Sequence, residues 1–226
     1  MKKWPIYLLE APSVIELNTT FVRFQEYYES PKFRGTIFSL EEFREWDAKE
    51  NEGRISYFKY WRGNNIPSYI FKPFREGAFD PLSQEEKLLL EKLGGIPEPF
   101  YVITVVQDDD LDILQHEFVH GLYYFDPQYR QEVIASITTY ELGRYWPALR
   151  KMGYRRDVID DEINAYATTD LSDLIDAGLD PKDGLATQIV LRKLFSDYFG
   201  YSIEDQSRED LYKRVHVLPW QTPPKE

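Results

Sequence analysis

The chain has 226 residues, a formal net charge of −12 at pH 7 and no cysteine. This length suffices for one large domain or two small ones. The acidic charge argues against nucleic-acid binding, which needs a basic surface, and the lack of cysteine excludes disulfides and cysteine-ligated metals. The sequence contains no run of 18 apolar residues, so no membrane span is predicted. The start MKKWPIYLLEAPS does not have the pattern of a signal peptide. We therefore expect a cytoplasmic protein that binds neither nucleic acid nor membrane.

The first 106 residues are predicted to mix strands with helices. Three S-x-x-E capping boxes, at Ser13, Ser39 and Ser83, predict helices that end near Tyr28, Lys49 and Gly94. Turns are expected at Asn51 to Gly53 and at Gly63-Asn64-Asn65. Strands are expected at residues 6–9, 35–38, 54–61, 68–74 and 100–106, of which the last, FYVITVV, has the strongest strand pattern.

The remainder of the chain is predicted to be helical, with an extended tail from about residue 215. A helix spans the stretch after 107, and Asp126-Pro127, an N-cap followed by proline, predicts another that continues to about Tyr145. Trp146-Pro147 is expected to break that helix. Further helices are predicted at 158–169, capped by Asp157, and at 172–177 and 185–199, each stopped by a glycine.

The order of these elements predicts an α+β fold, because the strands precede residue 107 and the helices follow it. We expect a single domain over residues 1–226. Residues 1–106 would form an α/β part with a small, mostly antiparallel sheet, and residues 107–226 would form a helical part.

The helix predicted at residues 107–126, QDDDLDILQHEFVHGLYYFD, carries the motif H-E-x-x-H at positions 116–120. The chain has three histidines, and two of them lie here. At about 100° per residue, an apolar stripe occupies one face of the helix and both histidines lie on roughly the opposite face. The stripe consists of Leu111, Leu114, Phe118, Leu122 and Phe125.

This spacing suits a metal site, because imidazoles at i and i+4 lie one helical turn apart. The ring nitrogens of His116 and His120 can therefore converge on one zinc ion at about 2.0–2.1 Å. Glu117, between them, would lie near the open coordination position and could accept a proton from water. The alternative is a core helix with two incidental histidines.

Two residues are candidates for the third zinc ligand. Glu162 lies on the helix predicted at 158–169, and the small residues Ala165 and Gly121 would let that helix approach the histidine helix closely. Asp126 follows His120 by six residues, where extended motifs of the H-E-x-x-H-x-x-G-x-x-H type place a ligand, although Tyr123 stands where those motifs need glycine. Asp126 also has a role as a helix cap.

The sequence HEFVH, the glutamate at 162 on a helix of its own, and the strand that leads into the motif helix together resemble the gluzincins, the zinc metallopeptidases related to thermolysin. The resemblance covers about residues 100–170, and only H-E-x-x-H is specific. It implies that His116, His120 and Glu162 bind zinc and that Glu117 is the general base. It also implies a substrate cleft between the α/β and helical parts, with FYVITVV near the cleft edge to pair with an extended peptide.

The chain departs from the resembled family at one supporting position. Many gluzincins have an aspartate four residues after the glutamate ligand to orient a histidine, and here that position is Tyr166. Tyr166 is instead a candidate to stabilise the oxyanion, as are Tyr123, Tyr124 and His216.

These observations predict a zinc-dependent metallopeptidase whose partner is a peptide or protein substrate. Two alternatives belong to other classes. One is a catalytically inactive zincin-like protein that acts by binding a partner, and the other is a metal-dependent hydrolase of a non-peptide bond.

Overall fold

The computed structural model describes residues 2–50, 57, 61–108 and 110–223, and the chain divides into two compact units. One unit, the helical unit, comprises Met1–Trp4 with Asp110–Arg214, and the other, the sheet unit, comprises Pro5–Asp109 with Val215–Glu226. The sequence-based division placed everything after residue 106 in the helical part, whereas the tail from residue 215 belongs to the sheet unit. Among the described residues, no helix is long and apolar enough to cross a membrane.

The sheet unit is built on four strands in the order β2-β3-β1-β4. β1 lies between β3 and β4 and is parallel to both, with Ile6 opposite Tyr101 and Tyr7 opposite His216. Among the described strands, β2 and β3 form the antiparallel pair. The strands are β1 (Ile6–Ala11), β2 (Gly63–Pro67), β3 (Tyr101–Val106) and β4 (His216–Leu218).

The α+β class is confirmed, but two finer predictions about the sheet are wrong. The sheet is mixed, with two of its three strand pairs parallel, rather than mostly antiparallel. β3 is fully buried and is hydrogen-bonded on both sides, so its backbone is not available to pair with an extended peptide.

Aromatic side chains fill the core of the sheet unit. Phe74 stacks on Phe79 with ring centroids 3.8 Å apart, and Phe24 packs against Phe74 at 4.1 Å. Arg23 enters this core because its guanidinium pairs with the buried carboxylate of Glu86 and donates to the carbonyl oxygen of Phe79. A buried charge persists where it is paired and hydrogen-bonded in this way.

Three helices of the sheet unit begin at the predicted serine caps. Ser39 and Ser83 each form a reciprocal capping box with the glutamate three residues later, and Ser13 accepts a hydrogen bond from the backbone N–H of Glu16. The helices of this unit are α1 (Val14–Glu29), α2 (Leu40–Glu50), the short α3 (Lys72–Arg75) and α4 (Gln84–Leu93).

The predicted strand at residues 35–38 is wrong. Residues 31–35 form turns, with Gly35 at φ +66°, and residues 36–39 have no regular secondary structure. Phe33, within the turn, and Phe38, after it, are buried and stack at 4.3 Å. Ile37 is exposed, so of the apolar residues that suggested a strand, Phe38 packs into the core from a loop and Ile37 does not.

The prediction of a turn at Gly63-Asn64-Asn65 followed by a strand at 68–74 is also wrong. The two asparagines lie in β2 because their side chains are bonded to β3: Asn64 donates to Thr104 Oγ1 at 3.1 Å, and Asn65 accepts from the hydroxyl of Tyr101 at 2.7 Å. Residues 68–75 are helical, with proline in the first turn of α3. The predicted turn at 51–53 and most of the predicted strand at 54–61 lie outside the described residues.

The helical unit contains seven described helices. The helix Pro127–Ser136 begins as predicted, whereas the histidine helix α5 begins at Leu111, four residues after the predicted start at residue 107. The helices are α5 (Leu111–Phe125), α6 (Pro127–Ser136), α7 (Thr139–Lys151), α8 (Ile159–Thr168), α9 (Ser172–Ala177), α10 (Pro181–Phe199) and α11 (Arg208–Tyr212).

The predicted single helix from Asp126 to Tyr145 is two helices, because Thr138 begins a new one. Its side chain and that of Glu141 form a capping box. Pro147, predicted to break the helix, lies inside α7 on its exposed side, where Gly143 is also exposed. Pro147 has no N–H to donate to the carbonyl oxygen of Gly143, but that oxygen is on the exposed side and open to water, which limits the loss of stability caused by the proline.

Two further predictions about helix starts differ from the structure. Asp157 does not cap α8; it pairs with Arg155 at 3.1 Å, and Val158 occupies the cap position. α10 starts at Pro181, four residues before the predicted start, because Asp180 accepts a hydrogen bond from the backbone N–H of Lys182. α9 and α10 end at Gly178 and Gly200, both with positive φ, as predicted.

Candidate metal centre

The candidate site lies in the helical unit, where α5 and α8 pack against each other. α8 is the central helix of this unit: it also contacts α6, α7 and α10, and residues 162–168 are all buried. Its side chains are therefore held on every side, as a metal ligand requires.

Hydrogen bonds from neighbouring elements fix both helices. Asn164 of α8 accepts from the hydroxyl of Tyr129 at 2.7 Å, and Arg192 of α10 donates to the carbonyl oxygens of Thr168 and Thr169 at the end of α8. On α5, Gln115 donates to two carbonyl oxygens of the segment before α11, at 3.0 and 3.1 Å. These contacts anchor each helix to its neighbours in the unit.

His116, His120 and Glu162 meet at this packing interface. Their potential ligand atoms all lie within 4.8 Å of one another, and they form the one such group found within the described ranges. The Nε2 atoms of the two histidines are 3.0 Å apart. Glu162 brings Oε2 to 3.9 Å from His116 Nε2 and Oε1 to 3.8 Å from His120 Nε2.

These separations fit a tetrahedral zinc site with small adjustments. Ligand atoms about 2.0–2.2 Å from zinc at tetrahedral angles lie roughly 3.3 Å apart, so the observed 3.0, 3.8 and 3.9 Å require shifts of about half an ångström. Oε2 of Glu162 is buried and has no hydrogen-bond partner in the part of the chain that the structure describes. A buried carboxylate oxygen that faces two imidazoles suits a bound cation.

The electrostatics of the site also suit a cation. Burial lowers the pKa of His116 well below its usual value, and the neighbouring His120 adds to this effect. In His120 the carboxylates of Asp161 and Glu162 outweigh burial and hold the pKa well above its usual value. Burial raises the pKa of Glu162, against the attraction of His120, while Asp161 and Glu117 raise it further. A divalent ion would favour ionised Glu162 and two neutral imidazoles together.

Glu117 shares the buried side of α5 with His120. Its exposed fraction is 6%, and its negative charge contributes to the pKa shifts of His120, Glu162 and Tyr166. The charge of the predicted general base therefore acts on two of the predicted ligands, His120 and Glu162.

Tyr166 lies beside the histidines, as the residue four positions after Glu162. Its ring packs edge-on against His116, with centroids 4.5 Å apart, and its hydroxyl is 3.0 Å from the hydroxyl of Tyr154. Burial and the charge of Glu162 raise the pKa of Tyr166, so its hydroxyl stays protonated and able to donate.

The sequence analysis missed Tyr154 and Asp161. Tyr154 hydrogen-bonds to Glu162 and thereby lowers the pKa of that carboxyl. Asp161 places Oδ1 2.9 Å from Nδ1 of His120, although the ring N–H does not point straight at this oxygen. Nothing in the sequence distinguishes Tyr154 from the other tyrosines of a chain that has 17. Asp161 was identifiable as a candidate by its position immediately before the predicted ligand Glu162.

Asp126, the alternative third ligand, has the capping role that the sequence predicted. Its carboxylate accepts hydrogen bonds from the backbone N–H groups of Gln128 and Tyr129, at 3.2 and 3.0 Å. It also accepts from the hydroxyl of Tyr198 at 2.7 Å. Three donors thus hold Asp126 at the start of α6, and it is not part of the His116 group.

The other candidate oxyanion donors are placed differently. The ring of Tyr123 contacts Arg130, and Tyr124 packs edge-on against Phe125. His216 belongs to β4 in the sheet unit, where its ring stacks on Tyr7 with centroids 4.8 Å apart. Of the four candidates, Tyr166 is the one whose ring packs against the ring of a predicted ligand, His116.

Comparisons of this chain with protein-family models, with curated proteins and with solved structures found no match. The resemblance to gluzincins therefore continues to rest on the residues quoted above.

Proposed function

We propose that the protein is a zinc-dependent peptidase that uses His116, His120 and Glu162 as metal ligands and Glu117 as general base. The observation that supports this most directly is the convergence of two imidazole nitrogens and a buried, unpaired carboxylate oxygen within 4.8 Å. Two nitrogen ligands and one oxygen ligand leave a fourth tetrahedral position open, as in catalytic rather than structural zinc sites.

Zinc in such a site acts as a Lewis acid and makes water a nucleophile near neutral pH. The residues of the chain supply the remaining steps. Glu117 accepts the proton of the attacking water and passes it to the leaving amine. Tyr166, which is held against His116, donates a hydrogen bond to the carbonyl oxygen as charge develops on it. The choice of a peptide bond rests on the gluzincin resemblance.

The experiment combines metal analysis with a cleavage assay. The purified chain is loaded with zinc, dialysed and analysed for metal, then incubated with a diverse peptide library that is read by mass spectrometry. Glu117→Gln is expected to bind zinc like the wild type and to cleave nothing, because glutamine has nearly the same shape but cannot accept the proton. Glu132→Gln, at an exposed glutamate of α6, is the matched control and should cleave like the wild type.

The outcomes test the metal site, the kind of bond that is cleaved and the role of Glu117. A wild type that does not bind zinc refutes the metal site. A zinc-bound wild type that cleaves no peptide, under conditions where added ester or phosphate substrates are hydrolysed, indicates another bond. Full cleavage by Glu117→Gln would refute the role of Glu117.

A further inference from the structure

We infer that Asp161 is the residue that positions His120 for metal binding, by accepting the Nδ1–H of its imidazole. This inference rests on the proposed zinc site. Asp161 supplies a carboxylate that orients a ligating histidine, and the chain has tyrosine at position 166, where many gluzincins have such a carboxylate.

The geometry of α8 brings Asp161 to the far side of the His120 ring. Glu162 approaches Nε2 of His120 at 3.8 Å, whereas Asp161 approaches Nδ1 at 2.9 Å. Consecutive residues of one helix thus contact opposite nitrogens of one ring. The ring is 1% exposed, so water does not compete for either nitrogen.

This arrangement selects one tautomer. A proton held on Nδ1 by Asp161 leaves the lone pair of Nε2 free to point toward His116 and Glu162, which is where a metal ligand must point. A proton on Nε2 would leave the Asp161 carboxylate facing an imidazole lone pair. A small rotation of either side chain aligns the N–H bond with Oδ1 at the observed separation.

Tyr166 cannot take this role for His120. Its ring packs on His116, and its hydroxyl is bonded to Tyr154 at 3.0 Å. The position that holds an orienting aspartate in many gluzincins is therefore used here for an aromatic contact, and the carboxylate comes from the residue before the glutamate ligand.

The test is the zinc affinity of the full chain, measured by competition with a chromogenic chelator. Asp161→Asn is expected to bind zinc about 10–100-fold more weakly, the usual effect of removing an outer partner of a ligating histidine. Asp160→Asn is the matched control, because it removes the same charge from the same helix turn but has no contact with a histidine ring among the described residues. Circular dichroism and thermal unfolding of the metal-free proteins show whether each variant folds.

A second readout distinguishes positioning from a general structural role. The chain has only three histidines, so their ring nitrogens can be assigned by NMR with the His120→Ala and His216→Ala variants. The zinc-bound wild type should show an Nδ1–H signal of His120 that exchanges slowly with solvent, and Asp161→Ala should lose that slow exchange while the His216 signals stay unchanged.

The results separate this inference from the proposed function. A wild type that binds no zinc refutes both. A wild type that binds zinc, with Asp161→Asn as tight as Asp160→Asn or with an unchanged His120 signal in Asp161→Ala, refutes the role of Asp161 and leaves the zinc site standing.

Discussion

Glu26 of α1 makes the stability of the sheet unit depend on pH. Its exposed fraction is 8%, and its Oε2 has no hydrogen-bond partner among the described residues. Burial raises its pKa from 4.5 to about 7; a hydrogen bond with Ser30 opposes the rise, and the charge of Asp47 adds to it. The substitution Glu26→Gln tests this pH dependence, because it keeps the shape of the side chain and removes its ionisation.

The sign follows from comparing the folded and unfolded states. Below pH 4.5 the carboxyl of Glu26 is protonated in both states and costs nothing. As the pH rises from 4.5 to about 7, the unfolded state ionises first, so the free energy of unfolding falls. Each pKa unit is worth about 1.4 kcal/mol, so the loss above pH 7 reaches about 3 kcal/mol. Glu26→Gln should therefore be about 3 kcal/mol more stable than the wild type at pH 8 and nearly equal to it at pH 4.5.

The assay is urea unfolding of the wild type and Glu26→Gln at pH 4.5, 6 and 8. Glu45→Gln, at an exposed residue of α2, controls for the change in net charge. It should change the free energy of unfolding by less than about 0.5 kcal/mol at every pH. An equal difference between Glu26→Gln and the wild type at all three pH values would refute the reasoning, because only an ionisation can produce the pH dependence.

The remaining predictions concern the metal centre. One zinc ion per chain is expected, and His116→Ala or His120→Ala should abolish binding, as measured by metal analysis after dialysis. Glu162→Gln should weaken zinc binding by more than the roughly 100-fold expected for a residue that only supports a ligand. Asp126→Asn should leave zinc affinity unchanged and lower the free energy of unfolding in urea by about 0.5–2 kcal/mol, as the loss of a helix cap does. The reverse pattern would make Asp126 the ligand. Tyr166→Phe should retain zinc and lower kcat by about 10²–10³-fold on any cleaved peptide, and an unchanged kcat would assign it packing alone.

Local signals predicted several helix boundaries correctly, where the determining contact lies within a few residues. Ser39 and Ser83 start helices through side chains that bond three residues away, and Gly178 and Gly200 end them with a positive φ. The same capping pattern is present at Thr138 and Glu141, so the break between α6 and α7 was also predictable from the sequence.

The errors in the sheet have another cause, because they depend on contacts between residues far apart in the sequence. Asn64 and Asn65 favour a turn by composition, but their partners Thr104 and Tyr101 hold them in β2. Nothing near those asparagines indicates such partners. The direction of the strand pairs likewise depends on long-range topology, which local alternation of apolar residues does not encode.

The candidate site shows the same division. H-E-x-x-H is local, and one helix presents both histidines, so its geometry followed from spacing. The meeting of Glu162 with that helix is a tertiary contact, which the small residues Ala165 and Gly121 indicated. Asp161 was passed over because acids at the start of a helix have an ordinary explanation in the helix dipole.

The strand β4 has a consequence for how the protein is made. The helical residues 110–214 form one continuous insertion between β3 and β4, so the neighbour of Tyr7 in the sheet is a residue synthesised more than 200 positions later. Until that residue leaves the ribosome, one side of β1 has backbone groups with no strand to pair with, which is a hazard for association between chains. The inserted helices have no such dependence, since nearly all of their unit is contiguous. We expect the helical unit to be ordered on a nascent chain whose sheet is still incomplete.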